Sequence, residues 1–164
     1  MRLKDVETGA KALLRATVVR LLPAPRRFDA PVDPAMVGRV LAVRHDSRLG
    51  NLLLLTPALR LIKLAFPKAV LDVLIADDYG DALAHNPNVD SLLTGAGLPA
   101  LRFKGYDLAI DFSPQHAFSL SSAVWTALSG APRRVGFDRG DAARFLGDLV
   151  PVPSAHSHET ANLA

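Results

Sequence analysis

The sequence contains no cysteine, so disulfides and thiolate metal sites are excluded, and a cytosolic setting is compatible with it. It has no run of 18 apolar residues. The densest stretch, the four leucines at 52–55, gives way at once to Thr56 and Pro57, which argues against a membrane-spanning helix. The N-terminus lacks the short apolar core and small-residue cleavage site of a secretory signal. Neither G-x-G-x-x-G nor G-x-x-x-x-G-K-[ST] occurs, which removes the dinucleotide fingerprint and the P-loop. A strong excess of one charge is missing too: 19 Lys and Arg against 16 Asp and Glu give a formal charge of +3. The basic doublets Arg26-Arg27 and Arg133-Arg134 stand apart, without interleaved aromatics, so nucleic acid is not an expected partner.

What is present is globular. The 164 residues are 49% apolar and 21% charged, enough chain for one domain with a buried core. Three regions are expected: an N-terminal extension over 1–37, an α/β domain over 38–153, and the start of a linker over 154–164. In the extension, Val6, Ala10, Leu13, Leu14, Thr17, Val18, Leu21 and Leu22 recur at helical spacing, with Lys4, Lys11 and Arg15 on another side. Such a helix either packs on protein, the preferred reading, or lies on an anionic membrane surface, where the lack of Trp or Phe anchors counts against it. Pro23, Pro25, Pro31 and Pro34 then enforce an extended linker.

From Gly38 onward, strands and helices alternate. Strands are expected at 40–43, 70–75, 89–93, 108–112, 134–137 and 149–152. Helical segments are expected after residue 50, at 79–84, at 99–104 and at 118–128, with Gly130 as a C-terminal cap. Leu52, Leu55, Leu59, Ile62 and Phe66 form the buried stripe of the first helix, with Thr56, Arg60 and Lys63 opposite. Pro57 either kinks a long helix, the preferred reading, or starts a shorter one capped by Thr56. The alternation predicts a doubly wound, Rossmann-like parallel sheet.

In such sheets, ligands bind beyond the carboxyl ends of the strands, where strand order reverses. That directs attention to the segment between the first strand and the first helix, from Arg44 to Thr56. Gly50 allows close backbone approach or a positive φ, and Asn51 is a plausible N-cap that would turn free amides toward the crevice. Spacing alone leaves two readings open, an ordinary capped connection and a cradle for a polar or anionic ligand.

The run Val43-Arg44-His45-Asp46-Ser47-Arg48-Leu49-Gly50-Asn51, continued by Leu54-Leu55-Thr56-Pro57-Ala58-Leu59, resembles the opening motif of family 9, heptosyltransferase-type glycosyltransferases. Further similar motifs follow in order: Phe66-Pro67 with Leu71-Asp72-Val73-Leu74, Asn86-Pro87-Asn88-Val89-Asp90, Tyr106 to Asp111, and Leu128 to Asp138. The resemblance implies a two-domain transferase built from facing Rossmann-like halves. It implies metal-independent, inverting transfer of a heptose from ADP-heptose to a lipopolysaccharide core. This chain is similar to the acceptor-binding N-terminal half only. The donor, an ADP-heptose-like nucleotide sugar, would need a separate C-terminal half, and no resident cofactor is implied. A cytoplasmic location follows, with contact at the periphery of the inner membrane.

Inverting transfer needs a base that takes the proton of the attacking hydroxyl. The family usually places an aspartate directly after the motif glycine, and here that position is Asn51, whose amide cannot accept the proton. The resemblance thus leaves three readings: Asp46 substitutes as base, the chemistry differs, or the module binds without catalysing. Acceptor contacts are expected from Arg44, Arg48, Gly50, Thr56, Ser113, Gln115, His116 and Arg134, with arginines suited to phosphate or carboxylate groups. His45 and His116 lack metal-ligand spacing, so no metal site is expected. Trp125 reads as core.

Overall fold

The computed structural model describes residues 22, 24–45, 48–114 and 116–152. The expected N-terminal helix, the segment over 154–164, Asp46 and Gln115 lie outside the described residues. Six strands form one sheet: β1 (Arg39–Arg44), β2 (Val70–Ile75), β3 (Ser91–Leu93), β4 (Leu108–Asp111), β5 (Arg133–Phe137) and β6 (Asp148–Val150). The order is β3-β2-β1-β4-β5-β6, and every neighbouring pair is parallel. The doubly wound sheet expected from the alternation is therefore observed. Its central strand β1 is apolar throughout its interior because it is covered on both faces.

One face is covered by α1 (Leu49–Ala65), whose Leu52, Leu55, Ala58, Leu59 and Ile62 pack on Val40, Ala42, Leu71 and Val73. Each fully buried leucine in this layer contributes about 1.5–3 kcal/mol. The opposite face is covered by the 3-10 segment Gly95–Lys104 and by α2 (Leu120–Leu128), with Leu101, Tyr106 and Trp125 against Leu41, Val43 and Ala109. Trp125 is half-buried there, consistent with its reading as core. In place of the helices expected at 79–84 and 99–104 stand 3-10 segments at Asp77–Ala82 and Gly95–Lys104. Gly130, just past α2, has φ +74°, the left-handed conformation expected of a capping glycine.

Helix α1 runs without interruption through Pro57. A proline in a helix leaves the carbonyl four residues earlier without its N–H partner. That carbonyl is Leu53 O, and the Thr56 hydroxyl donates to it at 2.7 Å. Thr56 and Pro57 therefore work as a pair, the first restoring the bond that the second removes. The helix also begins earlier than the sequence suggests. Its N-cap is Arg48, so Asn51 is the third helical residue, and most of the expected loop from Arg44 to Thr56 is helix. Gly50 lies within the helix and lacks the positive φ that would require a glycine, and the space beside it is open.

Candidate functional site

Strand order reverses between β1 and β4: β1 leads into α1 on one face, and β4 leads toward α2 on the other. Their carboxyl ends open a crevice between the two connections. Arg44, the last residue of β1, is fully buried, and its Nη1 donates to Phe112 O at 2.5 Å, just beyond β4. It ties the two strand ends together. The expected direct contact of Arg44 with an acceptor is not what the structure shows, because its side chain has no exposed surface. The next residue, His45, donates its backbone N–H to Ser122 Oγ at 3.4 Å and sets its ring 6.2 Å from that of Trp125.

Asp111 closes β4. Its Oδ1 accepts the Ser113 backbone N–H at 2.9 Å and the Ser113 hydroxyl at 2.6 Å. Burial pushes the Asp111 carboxyl up to about 6, against the lowering pull of the Ser113 bonds and of the Arg44 charge. The neighbouring strand accommodates this side chain with Gly136, where an added Cβ would stand 2.6 Å from Leu146 Cδ1 and 3.2 Å from Asp111 Cβ. Carboxyls perturbed in this way cluster at functional sites and also occur in structural networks.

In front of these strand ends lies a groove of about 380 Å³ lined by Arg48, Asn51, Pro114, His116, Ala117, Phe118 and Ser119. Its volume suits a small ligand. Arg48, Asn51, His116 and Ser119 supply polar groups, while Pro114, Ala117 and Phe118 form an apolar wall. The same three wall residues border a much smaller cavity that contains Asp111, Ser113 and Arg139. Ser119 is the N-cap of α2, accepting the Ser122 N–H at 3.4 Å.

The structure thus brings together Arg48, Asn51 and His116, three of the residues expected from sequence, and sets Ser113 just behind them. Gly50 lies exposed beside Asn51 in the first turn of α1. Thr56 is not in this group. It faces a separate groove with Pro57, Arg60, Asp81 and His85, and its hydroxyl is committed to Leu53. Arg134 is at the wrong end of the sheet. It is the second residue of β5, buried, with Nη2 donating to Ala24 O at 3.0 Å, whereas the crevice lies beyond the carboxyl end of that strand. Burial holds its guanidinium below the usual arginine range. Phe118 and Ser119 were missed as groove residues. A serine ahead of an apolar helical run was the available signal, since it marks a helix start that points at the crevice. Among the described residues, no group of three His, Asp or Glu is placed to hold a metal ion.

A glycosyl transferase of family 9 from Veillonella parvula superposes with a TM-score of 0.66 over 77% of this chain and 39% of its own, at 20% identity. The fold is shared with family 9 glycosyltransferases. The E. coli heptosyltransferase WaaC, solved with ADP, gives 0.64 over 76% of this chain and 44% of its own, at 21% identity. The E. coli ADP-heptose lps heptosyltransferase II gives 0.59 over 70% and 35%, at 24% identity. The chain thus spans about two fifths of the length of these glycosyltransferases. No family model and no curated protein matches the sequence.

Proposed function

We propose that this chain forms the acceptor-binding face of a sugar-transfer cleft of the heptosyltransferase type. The observation that carries the reading is the groove at the strand-order reversal, which holds Asn51 beside Arg48 and His116. Asn51 occupies the position at which the resembled family places its aspartate. The ligand is a saccharide, with the anionic inner core of lipopolysaccharide the best match to Arg48. The donor, an ADP-heptose-like nucleotide sugar, binds on a separate C-terminal half. The reaction then takes place where a lipid-linked acceptor is presented, at the periphery of the inner membrane.

In this reaction an acceptor hydroxyl oxygen bonds to the anomeric carbon as the bond from that carbon to the leaving diphosphate breaks. The configuration inverts, and the hydroxyl proton passes to a base. Asn51 cannot take it, but its amide can donate to one acceptor oxygen and accept from another hydroxyl. Among the described groove residues, His116 offers an imidazole nitrogen that can accept the proton. Asp46, beside the groove in sequence, is the other candidate. Loss of either true base would remove about 10²–10⁴-fold of rate. Asn51 favours a second reading, in which the groove binds saccharide without transfer.

Titration of the chain with inner-core oligosaccharide tests the proposal. Binding should weaken by about tenfold in Asn51→Ala, equivalent to one lost buried hydrogen bond. Absence of binding at millimolar saccharide would sink it. In a preparation completed with a donor-binding half, Asn51→Asp should raise transfer, and His116→Ala or Asp46→Asn should abolish it. Binding without transfer in every combination would establish the second reading.

A further inference from the structure

Helix α1 is apolar on more than the side it buries. Leu52, Leu55, Leu59 and Ile62 face the sheet, yet Leu49, Leu53, Leu61 and Leu64 are 47%, 53%, 40% and 66% exposed. Along the outer side, Leu49, Leu53, Pro57, Arg60 and Leu64 follow one another at steps of four, four, three and four residues. At 100° per residue these five fall within about 80° of one another, the spacing of a seam that meets a second helix. Exposed leucines gathered in such a seam mark an interaction surface.

The charge on this face is mixed. Arg60 stands in the seam itself, and beside it a groove runs between α1 and the segment from Asp81 to Asn88. Leu61 and Leu64 line the helix wall of that groove, and Asp81 and His85 line the other. Arg60 and Asp81 are both exposed, whereas the neighbouring Lys63 is engaged by Asp90. One surface thus carries a ridge and a groove, a cation and an anion. A partner of a single charge sign would be repelled by Arg60 or by Asp81, and a second copy of the chain by neither. A two-fold contact requires such a patch, because residue i of one copy meets j of the other while j meets i. The seam is also close to its own reverse. Turning the helix end for end about the point between Thr56 and Pro57 exchanges Leu49 with Leu64 and Leu53 with Arg60. A second copy packed antiparallel therefore sets leucine on leucine at both ends. Near the middle, the aliphatic stem of Arg60 covers the partner's Leu53 and leaves the guanidinium free to extend. It extends toward the partner's Asp81, which lines its groove with Thr56 and Pro57, one turn along from Leu53.

We infer that two copies of this chain associate through the outer faces of their α1 helices, antiparallel, with Arg60 of each copy paired to the partner's Asp81. The contact sets Leu64 of one helix beside the first turn of the other, which carries Arg48 and Asn51. The face is about 22 Å long and one helix wide, short of the about 800 Å² per partner of a standard interface, so a dissociation constant of about 10–100 μM is expected. The inference stands apart from the saccharide reading, because it is tested without saccharide.

The experiment is sedimentation equilibrium of the full chain from about 1 to 500 μM, where a monomer–dimer equilibrium should appear. The double variant Leu53→Gln, Leu64→Gln should associate at least about tenfold more weakly. Arg60→Asp and Asp81→Arg, each alone, should weaken association about tenfold by setting like charges opposite one another. An equimolar mixture of these two charge variants should regain the wild-type affinity, because each copy then supplies the charge that the other lacks. All these side chains are exposed, so the variants should keep the wild-type unfolding midpoint. A monomer throughout the range would overturn the inference, as would a dimer indifferent to the leucine variant. A mixture no tighter than its separate components would overturn it by placing the Arg60–Asp81 pair within one chain. Loss of the dimer in full-length Leu14→Gln, Val18→Gln would overturn it by assigning the contact to the N-terminal extension.

Discussion

Two aspartates are buried in the sheet, one toward each end, and they are treated in opposite ways. Asp72 in β2 belongs to the amino-terminal end. Its Oδ2 accepts the Tyr106 hydroxyl at 2.7 Å and lies 3.4 Å from both Arg39 Nε and Lys104 Nζ. These three partners come from the start of β1 and from the segment entering β4, so the carboxylate binds the lower end of the sheet together. The Tyr106 hydroxyl is held in its protonated form by burial and then by Asp72, which raise its pKa well above the usual tyrosine range. Asp111, at the carboxyl end, has Ser113 for a partner and the charge of Arg44 nearby, and its pKa still rises to about 6. The lower carboxylate meets two cations and a hydroxyl through Oδ2, although its Oδ1 is buried without a hydrogen bond, whereas burial outweighs the partners of the upper one. Unfavourable arrangements that persist in a core are expected where a site requires them.

Removing the lower carboxylate should have the largest effect. Asp72→Ala leaves Arg39, Lys104 and Tyr106 around a vacated acceptor, and stability in urea unfolding should fall by about 3–5 kcal/mol. The upper carboxylate should respond in the other direction. The folded Asp111 carboxyl titrates above its ordinary value of 3.8, so between about pH 4 and 6 the native state holds a proton that the unfolded chain has lost. Stability contributed by this group therefore falls as pH rises through that window and stays low above it. Asp111→Asn should raise stability at pH 8 by about 2–3 kcal/mol, with the gain vanishing below pH 4. An unchanged or lowered stability at pH 8 would remove the contrast between the two ends. A finer comparison deletes one hydroxyl from each aspartate. Tyr106→Phe and Ser113→Ala should each cost about 1–2 kcal/mol at neutral pH. Only Ser113→Ala should move the pH dependence, shifting its midpoint above 6.

The sheet was legible because buried parallel strands leave continuous apolar runs, and all six appear within a few residues of their expected places. The long first helix was legible from Leu52, Leu55, Leu59 and Ile62, whose spacing outweighed Pro57. Its exact start was not, since Arg48 caps it through backbone geometry and makes no side-chain capping bond that composition could reveal. That Arg48, Asn51 and His116 would gather in one groove was legible because each follows a strand that ends at the crevice. Arg134 misled because a residue near a strand boundary can lie at either end of the sheet, and only strand direction decides which. Thr56 misled because its hydroxyl answers a need created by its neighbour, Pro57. Arg44 shows a different limit: an arginine at a strand end reads as a ligand contact until burial reveals that it braces Phe112. The raised pKa of Asp111 depends on packing by Gly136 and Leu146 from distant segments, which no local pattern contains.

The proposed division of labour gives saccharide binding to the upper end of the sheet and bracing to the lower. Backbone NMR of the chain during titration with inner-core oligosaccharide tests this most directly. Saturable shifts at Arg48, Asn51, His116 and Ser119, with Arg39, Asp72 and Tyr106 unmoved, are the predicted result. Shifts centred on the Asp72 cluster, or none at saturating saccharide, would contradict it.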